Sequence, residues 1–307
     1  MRALVATGTG YKAELREVEE PTPRADEAVV AVRAFSLNRG EVTALGAAGD
    51  GARLGWDVAG EVVTPARDGT GPKEGARVVG LARSGGWAER VALRTHMLAP
   101  MPAALSFEAG STIPVAGLTA WRALQAAEVV NDKRVLVTGA SGGVGRFAVQ
   151  LAGCHLGAHV TAVVGRASRG DGLRDLGADD VVVGMPTRGE YDVILESVGG
   201  PSLARAFELV SSHGCIVTYG VSSHEPTTFD VGPFFRKGGA RVYGLAVFEE
   251  LAHQRSGTRD LGYLADLMAH GALDPQIGQV TGWGDADRAF DALMARQVQG
   301  KAVLRVE

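Results

Sequence analysis

The run VLVTGASGGVG, Val135 to Gly145, sets an apolar, strand-like tetrad before four glycines in seven positions. The start of a helix leaves backbone N–H groups unpaired and carries a partial positive charge, so it attracts phosphate. A pyrophosphate can come that close only where no side chain stands in the way. Ala140-x-Gly142-x-x-Gly145 fits the dinucleotide fingerprint, with Ala140 in place of the first glycine. Gly142 permits close backbone approach, Gly145 lets the helix lie against its strand, and Gly139 and Gly143 loosen the turn around Ser141 and Val144. A strand before the motif and a helix after it supply the context that so short a pattern needs. The alternative is a glycine-rich turn that binds nothing.

The end of the following strand selects the nucleotide. An NAD site places Asp or Glu about 20 residues on, where it accepts from the ribose hydroxyls. Here the stretch is TAVVGRASRG (161–170), which carries Arg166, Ser168 and Arg169 and no acid. Guanidinium groups pair with a 2′-phosphate that a carboxylate would repel. The expected cofactor is therefore NADPH, unless the arginines merely solvate the start of a helix.

The elements that position these residues fall into two regimes. Residues 1–100 alternate short apolar runs (RALVAT, EAVVAVRAF, WDVAGEVV, ARVVGLA, WAERVAL) with Gly, Pro, Asp and Ser clusters, a pattern of short antiparallel strands in a partly closed barrel or sandwich. From about residue 130 strands alternate with helices. RVLVTG, HVTAVVG, DVVV, YDVILESVG, GCIVTYG and ARVYGLAV read as strands. GGVGRFAVQLAGCHLG, SRGDGLRDLGA and SLARAFELVS read as helices. That alternation predicts an α/β fold with a doubly wound parallel sheet. Helices at about 247–270 and 286–297 precede a last strand, KAVLRV. The expected domains are 1–115, β-rich; 116–270, the dinucleotide-binding domain; and 271–307, a return to the first.

Bulk properties narrow the function classes. The chain has 307 residues, 46% apolar and 21% charged, typical of a soluble globular protein. A net charge of −4 with scattered basic residues argues against nucleic acid. The N-terminus lacks a signal-peptide core, and no apolar run approaches the ~20 residues that cross a bilayer. Cys154 and Cys215, both in apolar settings, make no disulfide framework and point to the cytoplasm.

With these residues in view, the chain resembles the medium-chain dehydrogenase/reductase superfamily, and in particular its zinc-independent quinone oxidoreductase branch. The similarity runs through AFSLNRGEV (34–42), GWDVAGEVV (55–63), STIPVAGLTAWRAL (111–124), VLVTGASGGVGRFAVQLA (135–152), YDVILESVGG (191–200) and GKAVLRV (300–306). The resemblance implies a discontinuous GroES-like catalytic domain, a Rossmann domain, an active site in the cleft between them and a homodimer formed near Ala240–Leu245. It also implies roles for single residues. Asn38 matches the family's active-site asparagine, which bonds the substrate oxygen or the cofactor ribose; alternatively it closes a turn. Thr119 matches a position near the nicotinamide, or makes a local hydroxyl bond. Trp56 would wall the cleft or simply sit in the core, and Asp57 would orient neighbours or serve a turn or salt bridge. Val198, Gly199 and Gly220 would pass along the cofactor at the carboxyl edge of the sheet. Arg296 matches an arginine that reaches the adenosine phosphate, or is a solvated helix-end residue.

No metal site is expected. Zinc-dependent relatives carry a catalytic cysteine early in the chain, a Gly-His-Glu-like motif and four close cysteines. This chain has SLNRGE and Gly55-Trp56-Asp57 in the first two places, and its histidines form no ligand-spaced cluster. Without a Lewis acid the suited substrates are a quinone or an α,β-unsaturated carbonyl, activated by their own conjugation. The tyrosine that many relatives offer as proton donor is missing from a short loop, TALGAAGDGARLG (43–55). Two alternatives stay open: an enoyl-thioester reductase of polyketide or fatty-acid type, and an NADPH-binding sensor or scaffold without turnover.

Overall fold

The computed structural model describes residues 1–254 and 257–307. The chain divides into two compact units, Met1–Leu118 with Leu251–Glu307, and Thr119–Glu250.

The first unit opens with β1 (Arg2–Ala6), β2 (Ala13–Glu17), β3 (Glu27–Ser36), helix α1 (Arg39–Ala47), β4 (Asp57–Thr64), β5 (Arg77–Leu81), β6 (Arg90–Arg94) and β7 (Leu98–Pro100). Helix α2 (Phe107–Ser111), with Ser106 as its N-cap, closes this run before a wide turn of helix at Ile113–Gly117. The second unit holds α3 (Leu118–Ala126), β8 (Arg134–Val137), α4 (Gly143–Gln150), β9 (His159–Val164), β10 (Asp180–Val183), β11 (Tyr191–Glu196), α5 (Gly200–Leu209), β12 (Val210–Thr218), α6 (Val231–Phe235) and β13 (Arg241–Gly244). Helices α7 (Val247–Gln254) and α8 (Gly257–Ala269) follow, then β14 (Ile277–Gly282), α9 (Ala286–Met294) and β15 (Lys301–Arg305).

In the second unit the parallel sheet runs β10-β9-β8-β11-β12-β13. This is the Rossmann order 3-2-1-4-5-6, so the chain reverses direction across the sheet between β8 and β11, where such folds bind ligands. The strands are near-continuous apolar runs because helices cover both faces. Leu136, Ile194, Ile216 and Phe207 share one core.

In the first unit the sheet runs β14-β15-β3-β4-β5-β7, with β6 also on β3 and β1–β2 as a separate antiparallel pair. Its core stacks Phe35, Trp87 and Phe290, the last two with ring centroids 5.0 Å apart. Strand β15 lies antiparallel to β3, with Val303 opposite Ser36, and so brings the C-terminal segment beside the residues just before Asn38.

Three expectations need correction. The return to the first unit comes at Leu251 and not at 271, because α8 packs there. Thr258 Oγ1 donates to Thr95 O at 3.1 Å, and a Cβ on Gly257 would stand 2.8 Å from His96 O. The helix expected over SRGDGLRDLGA is a single 3-10 turn, Ala167–Arg169, followed by turns in which Gly172 and Gly177 adopt positive φ. The stretch 43–55 begins inside α1, so only its second half is loop. Part of the helix expected over 247–270 falls on residues 255 and 256, which lie outside the described residues.

Candidate active site

In the first unit Asn38 caps α1, and the sequence Asn38-Arg39-Gly40-Glu41 folds back so that the Glu41 carboxylate accepts from the Asn38 backbone N–H at 2.7 Å. The other Glu41 oxygen accepts from Trp56 N at 2.9 Å, which ties α1 to the start of β4. The Trp56 ring then rests against Gly40, where a Cβ would come within 3.2 Å of it. The fold thus brings Trp56 beside Asn38.

The Asn38 side chain enters a buried polar network. Its Oδ1 accepts from Lys301 Nζ at 2.7 Å, and its Nδ2 donates to Asp57 Oδ2 at 2.8 Å and Glu41 Oε1 at 3.2 Å. Lysine only donates and the Asp57 carboxylate only accepts, so these two partners allow one orientation of the amide. Asp57 also accepts from Ser36 Oγ at 2.6 Å, Val115 N at 2.8 Å and Lys301 Nζ at 3.0 Å. Asp57 is 0% and Lys301 2% exposed. A charge pair this deep persists because every partner is satisfied. Burial first, and then the Asp57 charge, push the Glu41 carboxyl up to about 8, against the N–H donors and the Lys301 charge that pull it down. Asp57 thus pairs with Lys301 and, through Oδ2, also accepts from the Asn38 amide.

Glu41 and Lys301 were missed in the sequence. The signals existed: an N-x-x-E spacing after an apolar strand, and a lone lysine opening the otherwise apolar run KAVLRV.

In the second unit β8 ends at Val137 and the chain turns through Gly139, with φ +59°, and buried Ala140 into α4. A Cβ on Gly145 would stand 2.4 Å from Gly139 O and 2.6 Å from Ala140 Cα, so only glycine fits there. A Cβ on Gly142 would meet only Gly139 O, at 3.3 Å. Gly142 is also the N-cap of α4 and has no side chain to bond the N–H groups of Gly143, Val144 and Gly145 in the first turn. The cradle is tight behind and bare in front, which fits a pyrophosphate.

Two more loops join it at the carboxyl edge of the sheet. Ser197 N donates to Thr138 Oγ1 at 2.9 Å, and Ser197 Oγ donates to Thr138 O at 3.1 Å. The buried Glu196 carboxylate gathers Val198 N (3.0 Å), Gly199 N (2.9 Å), Ser202 Oγ (2.8 Å) and Thr138 Oγ1 (3.2 Å). Gly220 packs on Ser197, where a Cβ would be 2.8 Å from its carbonyl oxygen, and Ser223 N bonds Val198 O at 2.9 Å. Val198, Gly199 and Gly220 are thus tied, through Glu196 and Ser197, to Thr138 at the end of β8. Glu196, which holds the Val198–Gly199 turn, was missed in the sequence.

Beyond β9, Arg166 and Ser168 are exposed, while Arg169 Nε donates to Ser141 Oγ at 2.8 Å. Thr119 is buried near the start of α3. Arg296 stands in the first unit just past α9, with φ +57°, beside Arg39; burial and this like-charged neighbour hold the Arg39 guanidinium below its ordinary pKa. Among the described residues no cluster of three or more His, Cys, Asp or Glu could hold a metal ion.

A 3-2-1-4-5-6 sheet with a glycine cradle, joined to a β-rich unit completed by the C-terminal strand, defines a two-unit nucleotide-dependent oxidoreductase fold. Residues 24–103 match the alcohol dehydrogenase GroES-like domain, and 173–304 match the zinc-binding dehydrogenase family. The chain belongs to the medium-chain dehydrogenase/reductase superfamily, in its quinone-oxidoreductase-like branch. It is 34% identical over 227 residues to a chloroplastic quinone-oxidoreductase homolog of Spinacia oleracea, covering 63% of this chain and 68% of that one. It is 39% identical over 204 residues to the spectinabilin polyketide synthase system protein NorB of Streptomyces orinoci. That match covers 62% of this chain and only 9% of NorB. The yhdH oxidoreductase of Salmonella enterica, solved in complex with NADP, superposes with a TM-score of 0.84 at 27% identity over 100% of both chains.

Proposed function

We propose that the protein is a zinc-independent, NADPH-dependent oxidoreductase that reduces a quinone or a conjugated carbonyl. The observation that carries this reading is the glycine cradle, bare toward a phosphate and linked through Ser141 to Arg169 at the position where an NAD site has an acid. Likeness to the NADP complex of the Salmonella protein supports the same cofactor. The first α4 turn binds the pyrophosphate, the Arg166–Arg169 segment the 2′-phosphate, and the Val198, Gly199 and Gly220 loops the nicotinamide half. When bound, the cofactor supplies a hydride.

The segments SLNRGE and Gly55-Trp56-Asp57 stand where metal-dependent relatives carry zinc-ligand motifs, and Asn38 in the first of them is bound into the Lys301–Asp57 network. Charge that develops on a substrate oxygen is met by the Asn38 amide. The lysine at its oxygen polarises that amide and makes its N–H groups stronger donors. Of the two amide hydrogens, the one directed at Glu41 over 3.2 Å is the weaker bond and the one a substrate oxygen can share. Trp56 walls the site and Thr119 faces the nicotinamide.

This reading places the protein in the cytoplasm as a homodimer joined along β13, an edge strand of the parallel sheet. No described helix is long and apolar enough to cross a membrane. Likeness to a polyketide synthase protein keeps an enoyl-thioester substrate as the second reading.

Purified protein is mixed with NADPH and a panel of quinones, enals and the matching enoyl thioesters, with and without a zinc chelator. The expected result is NADPH oxidation by quinones or enals, unchanged by chelator. Turnover confined to thioesters selects the second reading. Tight NADPH binding with no turnover on any acceptor selects a sensor or scaffold.

A further inference from the structure

Arg169 and Ser141 are 28 residues apart, yet the guanidinium Nε donates to the serine hydroxyl at 2.8 Å. Ser141 lies between Ala140 and Gly142, inside the loop that cradles the pyrophosphate, and is 6% exposed. Arg169 ends the 3-10 turn that follows β9. One hydrogen bond therefore joins the segment that meets the 2′-phosphate to the loop that meets the phosphate bridge.

The chemistry of the two groups makes this link directional. A guanidinium has no acceptor, so Ser141 Oγ must be the acceptor of the pair and keeps its own O–H to donate. A hydroxyl that accepts from a cation is a better donor at its own hydrogen. On the arginine side, fixing Nε sets the rotation of a rigid planar fork on a long side chain. The ordering that a 2′-phosphate would otherwise have to impose is then partly complete before the nucleotide arrives.

We propose that Ser141 is a positioning residue for cofactor choice: it holds the Arg169 guanidinium at the 2′-phosphate while its own hydroxyl proton is offered to the phosphate bridge. The proposal rests on the reading that the Arg166–Arg169 segment receives the 2′-phosphate. Ser141 then raises affinity for a phosphorylated adenosine more than for an unphosphorylated one, although it sits in the loop common to both.

Calorimetry on the full chain with 2′,5′-ADP and ADP as probes tests this in the wild type, Ser141→Ala, Arg169→Gln and the double variant. Melting temperatures confirm that each variant is folded. Ser141→Ala is expected to weaken 2′,5′-ADP by ~5–20-fold and ADP by less than ~3-fold. The double variant is expected to bind within ~2-fold of Arg169→Gln alone, since partners in one hydrogen bond are not additive. An equal loss on both probes from Ser141→Ala, or additive losses in the double variant, overturns the positioning role and leaves the 2′-phosphate assignment standing. A loss from Arg169→Gln that is the same for both probes overturns that assignment, and the proposal with it.

Discussion

The two ends of the Asn38 amide have opposite needs, and the fold meets each with a buried partner: the Lys301 ammonium at the oxygen, the Asp57 carboxylate and the Glu41 carboxyl at the nitrogen. Replacing Asn38 with Ala removes a donor aimed at developing negative charge. It is expected to lower kcat by about 10²-fold while the NADPH Kd stays within ~2-fold, measured by steady-state kinetics and by fluorescence titration. An equal fall in affinity would place Asn38 on the cofactor instead. Lys301 answers a different question. Lys301→Met leaves Asp57 and Glu41 buried together without their cation, and breaking such a pair costs about 3–5 kcal/mol. The expected outcome is a large drop in melting temperature, partly recovered when Asp57→Asn is added. If the single variant melts like the wild type, the network does not hold the charge assigned to it.

At the scale of elements, the β8–α4 turn works by close approach. A methyl at Gly145 would overlap Gly139 O and Ala140 Cα, both backbone atoms that cannot step aside. Gly145→Ala must therefore push α4 away from the turn and displace the first-turn N–H groups proposed to meet phosphate. NADPH affinity should fall at least ~10-fold by calorimetry, with a stability loss of about 1–3 kcal/mol, the usual range for overpacking. Gly142→Ala, which meets one oxygen at 3.3 Å, should leave the melting temperature nearly unchanged and act on affinity alone. A Gly145→Ala protein that binds as tightly as the wild type would show that the loop is not the cradle.

Across the whole molecule, pH acts through Glu41. Its folded-state pKa, about 8, lies above the ordinary value of 4.5, so the folded chain holds this proton more firmly than the unfolded one. Stability from this group is full below pH ~4.5 and declines as pH rises toward about 8, the sign opposite to that of a salt-bridged carboxylate with a depressed pKa. The neighbouring charges that face it are Asp57 and Lys301. A melting series from acid to mildly alkaline pH should slope downward over this window, and Glu41→Gln should flatten it. An unchanged slope in the variant would assign the effect elsewhere.

Much of this protein was legible without coordinates. Alternating apolar strands and helices from residue 130 onward dictate the parallel sheet, and the spacing Ala140-x-Gly142-x-x-Gly145 dictates the close-packed β8–α4 turn, because both depend on neighbours in the chain. The helix expected over SRGDGLRDLGA failed for a local reason as well: the backbone freedom of Gly172 and Gly177 outweighed the apolar spacing. What no local pattern could supply was partnership across distance. Lys301 meets Asn38 only because β15 pairs with β3, Asp57 receives Val115 N only after 58 residues of chain have folded back, and Arg169 finds Ser141 only once β8 and β9 lie side by side. Residue types and spacing determined which chemistry the chain could carry. The tertiary structure alone decided which groups share a hydrogen bond, since burial makes each polar group find a partner and the fold sets which one is within reach.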